Sequence, residues 1–449
     1  MENIIYLHKG NNTDMDRRKF LRTSALTAAG VAVSGAIAPE AAAKTVKVET
    51  RLDSSESIKE PARRIPVVDS ADVLVIGGGP AGFAASVAAA RQGMDVIMLE
   101  RGYFLGGLFT GCDVTLLNNM YTPTHNGRVQ AVFGICEELC NRLAAHDMMA
   151  WAGTPPNVDT EATKYFMEEM CTEAGVRILY GAHASEVSMS GDRIEALFVE
   201  TKSGRVAIRT RFVIDCSGDG DVLAWTGEDF NEYKYDISAM YRIGNIGNRK
   251  KGWVTPNKGV YTQHLGAGVK DVDGLNVYEA TKAQLDLRKR MWENAWNMRS
   301  QDGNEGAYLL STPSVVGVRV TRVLNSVMNV TTEGAATGKS YDDVIGFTGS
   351  DSTLNWNGTK ISRKDRKMWQ IPYRSLVPKT VENLLAAGRC FGYEQNLRYD
   401  AREVGTCLMT GEAAGFAAAQ AVSKRQSCRD INVRLLQKTL RKNNVKLDW

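Results

Sequence analysis

At 449 residues the chain is long enough to bury a large core in about two or three domains, and its 43% hydrophobic and 24% charged residues are ordinary for a globular protein. A formal charge of +4 is too small to argue for a nucleic-acid partner or a membrane surface. The eight cysteines are scattered, with no C-x-x-C pair, which excludes the common iron–sulfur, structural zinc and c-type haem patterns and gives no disulfide framework; no metal is expected.

Near the start, Asp16, Arg17, Arg18, Lys19, Phe20, Leu21 and Arg22 precede a weakly apolar run over 23–38, with small-residue cleavage options at 36–38 or 41–43. A charged start, a short apolar run and A-x-A read as a signal peptide over 1–43. The paired arginines before Phe20 and Leu21 resemble the bacterial twin-arginine signal, whose route carries folded proteins. The apolar run falls short of the roughly 20 residues that span a bilayer, so removal is expected, with a periplasmic or otherwise exported product and no stable membrane span. Residues 44–69 have the composition of a tether.

A buried strand is expected over 72–76, then Gly77, Gly78, Gly79, Pro80, Ala81 and Gly82, a helix over 81–92 ended by Gly93, and a strand over 95–99 that closes in Glu100. An amphipathic helix over 161–174, capped by Gly175, leads into a β-meander that ends at 212–214. These elements assign 70–230 to a dinucleotide-binding domain. Residues 231–370 hold five of the eight tryptophans and a long helical stretch near 277–299, and read as an inserted substrate domain. The first pattern returns over 371–430, with a strand at 383–387 and an Ala-rich helix at 411–422; 431–449 is a C-terminal helix.

G-x-G-x-x-G alone is a weak signal, but here a buried strand precedes it, a small-faced helix follows and an acidic residue closes the next strand. Gly77 makes the turn, Gly79 lets the backbone approach a pyrophosphate, and Gly82 lets the helix touch the strand. The helix N-terminus offers amides and positive dipole to phosphates. Glu100 can accept hydrogen bonds from ribose hydroxyls.

Four blocks in order carry a resemblance: 73–82 with Glu100, Gly106, Gly107 and Leu108; then 214–221, with Ser217, Gly218 and Asp219; then 371–378 leading into 383–390, with Gly388 and Arg389; and last Cys407 with 411–415. In these the chain resembles the FAD-dependent oxidoreductases of the glutathione-reductase-like superfamily, in particular the bacterial group of that name. The resemblance implies an α/β fold: a Rossmann-like three-layer FAD-binding domain with a β-meander, plus an inserted α+β substrate domain. It implies FAD, held by Gly77, Gly79, Pro80, Ala81, Gly82, Glu100, Arg101, Gly106, Gly107, Leu108, Cys112, Ala184, Ser217, Gly218, Asp219, Gly388, Arg389, Thr406, Gly411 and Ala414. A helix starting near Gly411 would aim its N-terminus at the flavin.

The expected reaction is hydride exchange between FAD and a small organic substrate, as a dehydrogenase or as a C=C reductase. Electrons would pass to or from a separate carrier, a quinone or a cytochrome. A flavin-binding protein without turnover, or a flavin enzyme without net redox change, is the alternative. Arg398, Tyr399 and Arg402 precede the last helix and are the first candidates for catalysis; arginines there can hold a carboxylate bidentately. A surface ion-pair cluster such as Arg402 with Asp400 is the competing explanation. Arg319, in the G-x-R-x-x-R stretch Gly317 to Arg322, either faces the pocket or braces the domains. His125 is the best-placed histidine for acid–base work. Cys112, close behind Gly107, is a candidate for approach to the flavin, with a buried free thiol as its alternative.

Overall fold

The computed structural model describes residues 52, 56, 58–124, 127–150, 156–247, 253–265, 268–349, 354–362, 365 and 368–448. The signal-peptide residues and the first part of the tether lie outside them, as does His125.

Strands covered on both faces need apolar residues at successive positions. The chain supplies them in β1 (Val67–Ile76) and β2 (Val96–Glu100), and these join β3 (Arg177–Tyr180), β4 (His183–Ser190), β5 (Arg193–Thr201), β6 (Gly204–Asp215) and β7 (Leu384–Ala386) in one sheet. The parallel part runs β3–β2–β1–β6–β7. β6 serves two layers. Its first half pairs antiparallel with β5, which pairs with β4, and its second half takes β7 on the edge that β5 has left.

Side chains of period 2 then sort the sheet's two faces. Val73, Val75, Val96, Met98, Phe212 and Ile214 face a helical layer. Leu74, Ile76, Ile97, Leu99 and Val213 face the meander, where Ala184, Ile194, Leu197 and Val199 meet them. The result is the expected three-layer α/β arrangement.

The helical layer centres on α1 (Pro80–Ala90), which is buried from Ala81 to Ala89. Around it stand α2 (Ile135–Ala145) and α3 (Thr160–Ala174). α3 starts where the Asp159 side chain accepts from the Ala162 amide and ends at Gly175, whose φ of 83° needs a glycine.

The middle of the chain differs from the sequence expectation. Residues 237–318 do hold an apolar core of their own, built on the long helix α4 (Val277–Met298), from Ile237 and Tyr241 to Leu287, Met291 and Val318. Val320, Val323, Ile345, Leu354 and Trp369, however, pack into the helical layer of the first core. The expected strand at 72–76 also begins earlier, so 67–69 of the expected tether are part of β1.

The largest correction concerns the last long helix. α5 (Val404–Lys424) starts about two turns before Gly411 and is buried from Val404 to Ala419. Gly411 and Gly415 are therefore interior positions pressed on α1. A Cβ on Gly411 would sit 2.1 Å from the Ala81 carbonyl oxygen, and one on Gly415 2.3 Å from that of Ala85.

Candidate functional site

All five parallel strands end on one edge, and the strand order reverses between β1 and β6, the position at which sheets of this kind bind ligands. Gly77 leaves β1 with φ +97°, and a side chain there would lie 2.6 Å from the Cys216 carbonyl oxygen at the end of β6. Gly82 is as constrained, since its Cβ would come within 1.7 Å of the Gly77 oxygen. Gly79 is the opposite. It caps α1 in an extended conformation, and a Cβ there would meet no protein atom within 4 Å. Pro80 opens the helix without an amide, and the first-turn amides of Ala81 and Gly82 have no intrahelical acceptor.

A second glycine turn closes on the first. The Gly106 amide donates to the Gly78 oxygen at 2.8 Å, and Gly107 comes so near that a Cβ would be 3.0 Å from Gly79 Cα. Leu108 follows in the short helix Gly107–Gly111. Buried Glu100 fastens the loop: its Oε2 accepts from the Gly78 amide at 2.7 Å and its Oε1 from the Gly102 amide at 2.6 Å. Each oxygen keeps a lone pair for a ribose hydroxyl.

From β6, Ser217 bonds to Asp215, and Gly218 turns with φ +78°. Asp219 then accepts from Arg389 Nη2 at 2.7 Å and from the Thr321 hydroxyl at 2.7 Å. Arg389 stands beside the first turn of α1, because its neighbour Gly388 abuts Ala81. Its Nη1 is buried without a hydrogen-bond partner among the described residues. A buried cationic donor left open against Gly218, the unpaired amides of the first helical turn and a cradle that a Cβ on Gly79 would fill together suit a pyrophosphate. The residues present therefore fit FAD.

Other expected contacts fall further out. Ala184 is buried in β4, within the core between sheet and meander. Arg101 lies near His183, whose imidazole is pushed down by burial and then by that guanidinium. Thr406 spends its hydroxyl inside the protein, on Thr348 at 2.7 Å and Asn119 at 3.3 Å. Gly411 and Ala414 are buried in the middle of α5 rather than at its N-terminus. Cys112 is buried, lies 3.4 Å from the Val315 oxygen, and burial pushes its thiol up to about 12, so it is no thiolate.

The candidates for chemistry gather in a second group. Tyr399 and Arg398 occupy the helical turn Arg398–Ala401, and the Tyr399 hydroxyl is hydrogen-bonded to that of Tyr235, on the strand Tyr235–Ile237. The Arg398 guanidinium lies over both rings, 4.8 Å from the Tyr235 centroid and 5.0 Å from that of Tyr399. Arg402 lies 5.6 Å from the Tyr399 centroid. Arg319 Nη2 is 3.3 Å from His264 Nε2, and Ser238 Oγ is 3.0 Å from the same nitrogen. Burial and then the like charge of Arg402 pull the Arg319 guanidinium below its ordinary value. Burial, Arg319 and Arg402 likewise hold His264 down, and therefore neutral.

This second group shares a segment with the cofactor cradle. A Cβ on Gly317 would lie 1.8 Å from the Ser238 oxygen and 3.8 Å from Cys112 Sγ, and Thr321 reaches Asp219. Arg319 sits between those two anchors. Arg322 is spent on bracing, with Asp221 at 3.1 Å and the Phe230 ring at 5.6 Å. The surface ion-pair explanation for Arg402 does not hold. Asp400 is buried and accepts from Trp369 Nε1 at 3.0 Å, and among the described residues Arg402 pairs with Glu403, at 3.8 Å. Tyr235, Ser238 and His264 were not singled out from the sequence, and no local spacing could have shown them: Tyr235 and Tyr399 are 164 positions apart.

Comparison with known proteins gives the same cofactor. The FAD dependent oxidoreductase family matches this chain over residues 72–232 and 228–440. Dihydrolipoyl dehydrogenase 3 of Haloarcula marismortui is 32% identical over 123 residues, 26% of this chain and 23% of that protein. A flavin-dependent halogenase of Armillaria mellea is 24% identical over 181 residues, 35% of this chain and 33% of that one. The chain thus matches a third or less of the length of these relatives. Among solved structures, a geranylgeranyl bacteriochlorophyll reductase-like protein from Thermoplasma acidophilum is similar with a TM-score of 0.43 and 15% identity, over 84% of each chain. A flavoprotein/dehydrogenase from Cytophaga hutchinsonii gives 0.42 and 13%, again over 84% of each.

Proposed function

The chain belongs to the FAD dependent oxidoreductase family, and from that premise we propose that it exchanges hydride between FAD and a small organic substrate carrying a carboxylate. One observation carries the choice of substrate: the guanidiniums of Arg319, Arg398 and Arg402 converge on two phenols and a neutral imidazole. Glu403 stands beside Arg402, but burial raises its carboxyl and weakens it as a counter-charge. The Nε atoms of Arg398 and Arg402 are buried without partners among the described residues. Buried positive charge left this uncompensated is costly unless an anion joins it.

Bound FAD supplies a two-electron redox centre. The chain's own part is to hold it, with the glycines 77, 79 and 82, the α1 amides, Glu100 and Arg389, and to orient the substrate. Arg402 and Arg398 fix the carboxylate, which leaves the rest of the substrate to lie along the segment 317–321. Neutral His264 keeps Arg319 in place through its ring nitrogen. Electrons leave to, or arrive from, a separate carrier, a quinone or a cytochrome. Export by the twin-arginine route would put that exchange outside the cytoplasm.

The test is anaerobic mixing of the flavin-loaded protein with lactate, malate, succinate and fumarate, and with neutral alcohols of the same size. Carboxylates should bleach the oxidised flavin or restore the colour of the photoreduced one, and the neutral analogues should not. Arg402→Ala should keep its flavin spectrum and lose this reaction. Losing a desolvated arginine contact costs on the order of 2–5 kcal/mol, which at ~1.4 kcal/mol per decade is about 30- to several-thousand-fold. Equal reaction with neutral compounds, or unchanged kinetics in Arg402→Ala, would overturn the carboxylate assignment.

A further inference from the structure

We propose that Tyr235 is the acid–base residue of this site, exchanging its phenolic proton with the substrate and, through Tyr399, with solvent. The inference rests on the reading above that substrate lies among the arginines.

Geometry points to Tyr235 rather than to a histidine. The two hydroxyls share one hydrogen bond, so when one phenol is ionised the other can donate to it. Arg398 lies over both rings and favours that anion. The tyrosines come from separate parts of the chain, Tyr235 from a strand of the middle region and Tyr399 from the turn before α5, and their rings meet edge to face, 6.2 Å apart. Such a pair adds no apolar packing that two phenylalanines would lack, yet it puts two exchangeable protons among three guanidiniums.

The groups facing the pair agree in sign. Burial alone would raise the Tyr235 phenol, but the hydrogen bond from Tyr399 and the guanidiniums of Arg398 and Arg319 outweigh it and draw the group below the ordinary tyrosine value. Tyr399, the other partner of that bond, moves up, by the same bond first and by burial next. Arg402 faces Tyr399 from the α5 side. His264, neutral, backs Arg319, and Asp236 and Glu403 are the carboxylates that bear on the two arginines.

When the substrate is oxidised, its O–H or N–H bond, or in succinate the C–H bond beside the one that gives up hydride, breaks and the proton forms an O–H bond on the Tyr235 phenolate; Tyr399 then releases its own proton to solvent and takes that of Tyr235, which restores the phenolate. The hydrogen that leaves with both electrons belongs to FAD's half of the exchange. In the reducing direction Tyr235 gives the proton instead.

Ultraviolet difference titration of the flavin-loaded protein decides this without any substrate. The wild type should form one tyrosinate at a pH below the ~10 of free tyrosine. Tyr235→Phe should lose that transition and keep its FAD, and Tyr399→Phe should move it up by about a unit or more. With whichever carboxylate of the panel reacts, Tyr235→Phe should lower kcat by about 10²–10⁴-fold, as for loss of a positioned acid–base group, with KM changed little. Tyr399→Phe should shift the pH profile of kcat instead. A wild-type titration identical to that of Tyr235→Phe, or unchanged kcat in that variant, overturns the proposal. If no carboxylate reacts but the low transition is present and lost in Tyr235→Phe, the substrate reading fails and the ionisable pair stands.

Discussion

Within one short turn, Gly79 and Gly82 do opposite jobs, and that separates cofactor binding from folding. A methyl group on Gly82 would collide with the Gly77 carbonyl, whereas one on Gly79 would enter open space at a backbone geometry any residue adopts. Gly79→Ala should therefore fold with an unchanged far-ultraviolet spectrum and lose most of its flavin, because its methyl occupies room that the pyrophosphate needs. Gly82→Ala should fail at folding itself. The ratio of flavin to protein, read beside circular dichroism, tells the two apart; full flavin in Gly79→Ala would remove this glycine from the cofactor site. The sequence pattern already assigned these two roles, since a turn and a close approach leave a local spacing. It could not show Arg389 as an open cation beside α1, nor Tyr235 beside Tyr399. Those arrangements depend on chain segments that meet only after folding.

Helices were legible where a spacing or a cap marks their ends, as in α3 with Asp159 and Gly175 and in α1 between its glycine turn and Gly93, and the start of α5 was not, because no such mark stands there. The first two turns of α5 read Val404, Gly405, Thr406, Cys407, Leu408, Met409 and Thr410, a run with poor helix propensity that tertiary packing overrides. Starting the helix at Gly411 misplaced its N-terminus by about two turns. Glu412 shows what that burial does. Its Oε2 accepts from the Ile135 amide at 3.2 Å at the start of α2, its Oε1 has no partner among the described residues, and its carboxylate fills the place a side chain on Gly134 would take, 2.5 Å from that Cβ. Burial raises this carboxyl to about 8, although the α2 amide opposes it. Below the unfolded value of ~4.3 both states hold the proton. From there up to about 8 only the native state does, so this group makes stability fall as pH rises through that window and level off above it. Glu412→Gln, neutral at every pH, should raise the melting temperature more at pH ~8 than at pH ~5. An equal shift at both would mean that the carboxyl is ionised in the native protein.

For the whole molecule, the core of the middle region and the core under the sheet's helical layer meet in the segment 317–322, where Val318 packs in the first and Val320 in the second, and Thr321 and Arg322 reach Asp219 and Asp221. A protein assembled this way, from segments as distant as β1 and β7, offers no finished cofactor site until nearly all of it has folded. That bears on export. The twin-arginine route carries folded proteins, and the proposal that Arg17 and Arg18 form its signal ties passage to completion of this fold. Three variants should then sort cleanly in a fractionation of cells producing the full chain. Changing Arg17 and Arg18 to lysine should hold a folded, flavin-bearing precursor inside. Gly82→Ala should also stay inside, but without flavin, since its turn cannot close. Gly79→Ala, folded and short of flavin, should be processed and exported, because the route reads the fold. Normal processing of the double-lysine variant would point to another route, and export of Gly82→Ala in an unfolded form would point to one that threads the chain before it folds.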